Sequence, residues 1–334
     1  MLNKKLGEVK KILAIRNDKI GDLVLSSKVV ELLKRKFPYA KIDLIVSKAN
    51  KHLIEENPLI NKFYVLDYSP RTPRDFLNYF KLSKKIKKER YDLGVEIRGS
   101  LFNIFFFLFL GGVKYKMGFY TNNLSKLFLD YAHLKDYKGH ATQNMVKMVN
   151  GGLGTDFADS WPKIFTSKND AVEVKKFLKQ NNLSKFVSLC IDASSEEKQW
   201  SLDNFDKVIK HIHKKYPSCK IVLIGIDNTK MKFLAERNSF CIQALNKNLR
   251  LLYLLFGRSA LVIGPDGGTM HLAWVSKTNT ITLIPAYLAN YLEDIKPLGK
   301  NAKSILKKLE DIKTEEVTQL VNQVLSKQHA KSGN

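Results

Sequence analysis

Apolar positions along the chain fall into short unbroken runs, separated by stretches in which they recur every three or four residues. That alternation is expected of buried parallel strands joined by helices. The runs lie near 11–16, 41–47, 62–67, 92–97 and 115–119. Between residues 11 and 26 the chain reads KILAIRNDKIGDLVLS. Ile12 to Ile15 is apolar on both faces, and from Leu23 onward Leu23, Val24, Ser27, Val30, Leu33 and Phe37 keep helical spacing. A strand therefore passes through the loop N-D-K-I-G-D into a helix, with Gly21 supplying the turn and Asp22 in the N-cap region. Residues 120–183 carry fewer strand signals, and the turn-rich GGLGTDFADSWP at 151–162 marks a junction. The alternation then restarts with runs at 185–191, 220–225, 260–264 and 279–284, and a helix marked by Phe205, Val208, Ile209 and Ile212. The expectation is an α/β protein of two doubly wound Rossmann-like domains, 1–165 and 166–334, the second ending in a helix, with a cleft between the carboxyl ends of their sheets.

Composition narrows the classes. With 44% hydrophobic and 10% aromatic residues, the 334-residue chain is not a disordered one. Cys190, Cys219 and Cys241 have no metal-ligand spacing, and their odd number argues against a disulfide framework, so a reducing cytoplasm is expected. The start MLNKKLGEVKK has no apolar core of signal-peptide length, and no stretch reaches the roughly 18 apolar residues of a spanning helix. A protein that is soluble or peripheral to a membrane fits. The net charge of +24 would suit anionic lipid, nucleic acid or phosphorylated substrates, or lysines that only solvate helix faces. The lysines are spread through KKIKKER at 84–90, the 174–185 region, His211 to Lys215 and the tail, with no zinc-finger, RRM or KH signature beside them, so nucleic acid is an unlikely partner.

Neither G-x-x-x-x-G-K-[ST] nor G-x-G-x-x-G occurs, which weakens an NTPase or dehydrogenase reading, and the Asp-x-Asp by which many sugar transferases hold a metal is absent. What does occur is ALVIGPDGGTMHLAWV at 260–275, a buried strand followed by Gly264, Asp266, Gly267, Gly268 and Thr269 and then an apolar helix. Such a corner accepts a diphosphate, because small residues let it approach and the first helical N–H groups point at it; it also suits an ordinary tight turn. Asp22 likewise has two readings, a helix cap or a catalytic base. RGSLFNIFFFLFLGG at 98–112 is too short to span a bilayer; it forms either a buried helix or one whose phenylalanines touch lipid, with Arg98 at its start placed to meet an anionic acceptor.

Four segments, ILAIRNDKIGDLVLSSKVVELLKRKFPYAKIDLIV, YDLGVEIRGSLFN, EKQWSLDNF and VIGPDGGTMHLAW, together resemble the heptosyltransferase family of lipopolysaccharide synthesis, glycosyltransferase family nine, in the right order along nearly the whole chain. The resemblance implies a GT-B architecture and inverting transfer of a sugar, usually from ADP-heptose, to a hydroxyl of a membrane-held saccharide. It implies Asp22 as the base and Lys198, before Trp200, beside the donor phosphates. Asp266, Gly267, Gly268, Thr269 and His271 would surround the diphosphate and sugar, and Asp227 would hold the ribose. Asp18 and Lys19, in a loop that departs from the family's serine-rich pattern, join Arg98 as acceptor contacts. Gly267 stands where family members commonly have Ser or Thr. Trp200 reads better as core than as a stacking platform. A carboxylate taking the acceptor's proton, and a helix N-terminus with Lys198 stabilising the departing diphosphate, need no metal or cofactor. The partners implied are a nucleotide sugar, an anionic glycolipid and the cytoplasmic face of the inner membrane. The competing reading is a basic nucleic-acid- or lipid-binding protein on an inactive transferase-like scaffold, which Gly267 slightly favours and the retained Asp22, Asp266 and Lys198 oppose.

Overall fold

The computed structural model describes residues 6–331 apart from 68, 136, 160 and 194. The chain divides into two compact units, Met1–Phe165 and Thr166–Asn334. The first contains β1 (Lys11–Arg16), β2 (Lys41–Val46), β3 (Lys62–Val65), β4 (Leu93–Glu96), β5 (Tyr115–Tyr120) and β6 (Tyr131–Leu134). These form one parallel sheet in the order β3-β2-β1-β4-β5-β6. The second contains β7 (Phe186–Cys190), β8 (Lys220–Gly225), β9 (Ile242–Leu245), β10 (Leu261–Pro265), β11 (Thr280–Pro285) and β12 (Ala302–Lys307), also parallel, in the order β12-β11-β10-β7-β8-β9. Counted from its own first strand, each sheet runs 3-2-1-4-5-6. The order reverses between β1 and β4 and again between β7 and β10, and at such points the loops leaving the strands part and open a crevice.

Each unit closes its own core. In the first, Leu13, Ile15 and Ile45 of the sheet pack against Tyr79, Ile86 and Phe107 of the covering helices. In the second, Leu189, Ile191 and Ile263 meet Trp200, Phe205 and Val317. Trp200 is fully buried and donates its Nε1 proton to the Ile312 carbonyl at 3.2 Å, the core role expected of it.

After β1, three details differ from expectation. The helix after β1 is two helices, Ile20–Ser26 and Lys28–Lys36. At the break the Ser26 and Ser27 hydroxyls donate to the carbonyls of Leu23 and Val24 at 3.1 and 2.9 Å, and the Ser27 N–H reaches back only three residues, to Val24. Such back-bonding competes with the i−4 pattern and separates the helices. Gly21 is not a turn residue but lies buried inside Ile20–Ser26, and Asp22 is not the cap: Lys19 holds that position, and Asp22 sits in the first turn.

Candidate active site

Both reversal points carry clustered charge. In the first unit, β1 ends in Arg16, which is 2% exposed. Its Nε lies 2.9 Å from Asp18 Oδ1, its Nη2 lies 2.8 Å from Asp22 Oδ1, and its Nη1 donates to the Ile97 carbonyl at 2.9 Å, just past β4. One guanidinium thus fixes both acids of the loop to the neighbouring strand end. Arg98 adds a looser contact, 3.5 Å from Asp18 Oδ2. The Asp18 side chain is 6% exposed and that of Asp22 40%, so only the second offers much of its carboxylate to a substrate. Burial raises the Asp18 pKa, against Arg16, and the nearby Asp22 charge raises it further. The loop backbone is pinned as well: the Asp18 carbonyl accepts from Asn50 Nδ2 at 2.9 Å and from Ser47 Oγ at 3.2 Å.

Beneath this cluster lies Glu96, the fully buried last residue of β4. Its Oε2 accepts the N–H groups of Arg98 (3.0 Å), Gly99 and Ser100 (3.2 Å), while Oε1 accepts from Asn103 Nδ2 at 3.1 Å. The same Asn103 amide donates to Asn17 Oδ1 at 2.9 Å, tying this loop to the Asp18 loop. Gly99 makes the wrap feasible, because its φ of +95° belongs to the region that side chains disfavour. Burial raises the Glu96 pKa despite those donors. Beside the loop, at the carboxyl end of β3, a polar pocket of about 340 Å³ is lined by Asp67, Ser69, Arg71, Asp75 and Asn78.

In the second unit Asp266 follows β10, 5% exposed. Lys198 Nζ lies 2.6 Å from its Oδ2 and His271 Nε2 3.8 Å from its Oδ1. Gly264 permits the placement, since a Cβ there would come within 2.7 Å of Cys190 Cβ on the adjacent strand. Gly267 occupies the cap position of the helix Gly268–Val275 and offers no side-chain bond, and the N–H groups of Gly268 and Thr269 precede the first intrahelical bond. Thr269 turns its side chain to the Cys190 thiol, which burial pushes up to about 12 in spite of that bond, so this cysteine is unreactive. The segment before Trp200 is fixed by Gln199, whose Nε2 donates to the carbonyls of Ile191 and Trp200 and whose Oε1 accepts from Lys230 Nζ at 2.8 Å.

The residues named from sequence are thus partly united. Asp18 and Asp22 meet through Arg16, with Arg98 against Asp18, and Lys198, Asp266 and His271 form one cluster at a helix start, with Gly267 and Gly268 beside them. Lys19 is exposed and makes no side-chain cap bond. Asp227 caps a helix: its Oδ1 accepts from the N–H groups of Thr229 and Lys230 at 2.8 and 3.2 Å at the start of Asn228–Arg237. The acid that organises this corner is Asp192, two residues past β7, whose Oδ2 accepts from the N–H groups of Ile226 (2.5 Å) and Asp227 (3.0 Å). Sequence reasoning missed Arg16, Glu96 and Asp192. Their shared signal is a charged residue at or just past the carboxyl end of an apolar strand. Among the described residues no three His, Cys, Asp or Glu side chains are grouped to hold a metal ion.

Comparison with known proteins points to one family. The pattern of glycosyltransferase family 9 (heptosyltransferase) matches residues 79–324. A lipopolysaccharide heptosyltransferase 1 of Campylobacter coli is 23% identical over 318 residues, 88% of this chain and 90% of that protein. The crystal structure of a glycosyl transferase of family 9 from Veillonella parvula superposes with a TM-score of 0.84 at 17% identity, covering 96% of this chain and 99% of the other. That of the Escherichia coli ADP-heptose LPS heptosyltransferase II gives 0.76 at 18%, with the same coverage. The two doubly wound units are accordingly those of a GT-B fold.

Proposed function

The chain belongs to glycosyltransferase family 9, the heptosyltransferases, and from that premise we propose that it transfers heptose from ADP-heptose, with inversion, to a hydroxyl of a lipopolysaccharide core or similar membrane-held glycan. The observation that carries the reading is Asp22, a half-exposed carboxylate fixed by Arg16 at the reversal point of the first sheet. In this scheme Asp22 takes the proton of the acceptor hydroxyl as that oxygen attacks the anomeric carbon from the face opposite the nucleotide. Arg16 keeps the carboxylate aimed, the buried Asp18 holds Arg16 and Arg98 in place, and Lys19 and Arg98 meet the acceptor. Loop residues around the 340 Å³ pocket supply further polar contacts to a saccharide.

The donor belongs to the second unit. Its diphosphate lies at the start of Gly268–Val275, where the Gly268 and Thr269 N–H groups and the helix dipole favour negative charge. Lys198 leaves Asp266 to share the charge that grows on the departing nucleotide, and His271 donates to a sugar hydroxyl. This reading is supported by the name of the E. coli neighbour, an ADP-heptose LPS heptosyltransferase, and by a lipopolysaccharide heptosyltransferase among the curated relatives. Membership of a transferase family favours it over an inactive binding scaffold. The site of action in this reading is the cytoplasmic face of the inner membrane. Among the described residues no helix is long and apolar enough to cross a membrane.

Replacing Asp22 by Asn tests the base directly. The new amide oxygen still accepts from Arg16, so the fold should hold within about 1 kcal/mol, the worth of a first-turn charge. Donor binding should be unchanged and turnover should fall by about 10²- to 10⁴-fold. A fully active Asn variant would end the assignment. If Lys198 and the helix start stabilise the leaving group without a metal, transfer should persist in EDTA; complete loss, restored by Mg²⁺ or Mn²⁺, would refute that step.

A further inference from the structure

We propose that an aromatic ridge on the first unit is the surface by which the protein docks on an anionic lipid bilayer, an inference that deepens the reading of a membrane-held acceptor and rests on it. The helix Pro73–Glu89 carries Phe76, Leu77 and Phe80 at 41, 50 and 44% exposure, although apolar positions at 79, 82 and 86 already serve the core. The Phe76 ring lies edge-on to Phe102 at 5.8 Å and 6.3 Å from Phe106. Phe105 continues the line, 5.4 Å from Phe106, 5.8 Å from Phe109 and 5.4 Å from Phe128. Phe109 is 48% exposed, and Leu124 and Leu127, just before Phe128, are exposed as well. Apolar side chains that stand in contact with one another yet remain open to solvent mark a surface built for another phase or partner.

The rim identifies which. Lys81, Lys84, Lys85 and Lys88 are exposed on the same helix, and Lys84 Nζ lies 4.6 Å over the Phe80 ring. The acids of that helix are otherwise engaged: Asp75 closes a capping box with Thr72, and Glu89 pairs with Lys11 and Lys62. Phenylalanines seated at the acyl boundary, with lysine stems along them and ammonium groups among anionic headgroups, satisfy both parts of such a surface. A second copy of the chain suits it poorly, because a two-fold contact would set the lysine row against itself. The ridge is also joined to the acceptor side of the site. The helical stretch bearing Phe102 to Phe109 begins at Ser100, whose N–H is held by Glu96, and its Asn103 bonds Asn17 beside Asp18.

The test uses vesicles without acceptor, so that it reads docking independently of transfer. Wild-type protein should sediment with phosphatidylcholine vesicles containing phosphatidylglycerol, not with phosphatidylcholine alone, and should be released by about 0.5 M salt. Phe76→Ser/Phe80→Ser/Phe109→Ser and Lys84→Gln/Lys85→Gln/Lys88→Gln should each lower partitioning by about tenfold or more while keeping the thermal shift given by ADP. Absence of vesicle binding by the wild type, equal binding by the variants, or a wild-type dimer that the phenylalanine triple variant dissolves would overturn the proposal. Loss of transfer with vesicle binding intact would instead count against the transferase reading alone.

Discussion

Arg16 shows how much one residue organises. Nearly solvent-free, it neutralises a buried Asp18, aims Asp22 and clasps the end of β4 through Ile97. Arg16→Met should cost about 3–5 kcal/mol in denaturant unfolding, because it leaves Asp18 as a buried charge with weaker partners. Arg16→Lys should recover part of that stability but little turnover, since an ammonium cannot span both carboxylates and the carbonyl. The glycines of the donor corner make opposite forecasts. Gly267 is extended, with φ 170°, and a Cβ there would meet nothing closer than the Pro265 carbonyl at 4.0 Å. Gly267→Ser should therefore fold normally and gain a few tenths of a kcal/mol as a cap, about the difference between Ser and Gly at this position. Gly264→Ala should be destabilising by thermal melt, because the neighbouring Cys190 backbone and Cβ cannot yield. Asp266 was legible because it sits in a glycine turn after an apolar strand, and Lys198 only through the family resemblance of the segment around Trp200. Arg16 and Glu96 were not: a charge that ends an apolar run looks like a strand terminus, and only the neighbouring strand shows that it turns inward.

Among elements, legibility followed burial. The central strands are apolar on both faces and were read directly, whereas β6, β9 and β12 were missed. All three lie at sheet edges, where one side lacks a partner strand and half-exposed positions such as those of Ala302–Lys307 dilute the apolar signal. The helix break at Ser27 was equally hidden, since apolar spacing continues across it and the cause is a pair of hydroxyl bonds. One element contact carries a pH dependence. Asp170, in the first turn of Lys168–Gln180, is pulled upward by burial, but Arg250 at 2.8 Å and the Ser167 bonds outweigh this and hold its pKa below the ordinary value. A depressed carboxyl stabilises the fold above its unfolded pKa, near 4, and loses that contribution as pH falls through the folded one. The stability difference between wild type and Asp170→Asn, followed by unfolding at stepped pH, should shrink as pH falls below about 5.

At the scale of the molecule, the repeated strand order was implicit in one alternation run through twice, and each unit's core is drawn from its own residues. The fragment 166–334 should consequently fold by itself, with a cooperative melt and dispersed amide resonances. The aromatic ridge has a consequence of another kind. If the protein docks through Phe76, Phe80 and Phe109 as proposed, it should meet its acceptor by lateral diffusion in two dimensions, so that the encounter rate is set by acceptor per area of leaflet, not acceptor per litre. Diluting the acceptor glycolipid with inert phosphatidylglycerol, at fixed total acceptor and saturating donor, should slow transfer in proportion to the surface dilution, while concentrating the vesicles should leave the rate per bound enzyme unchanged.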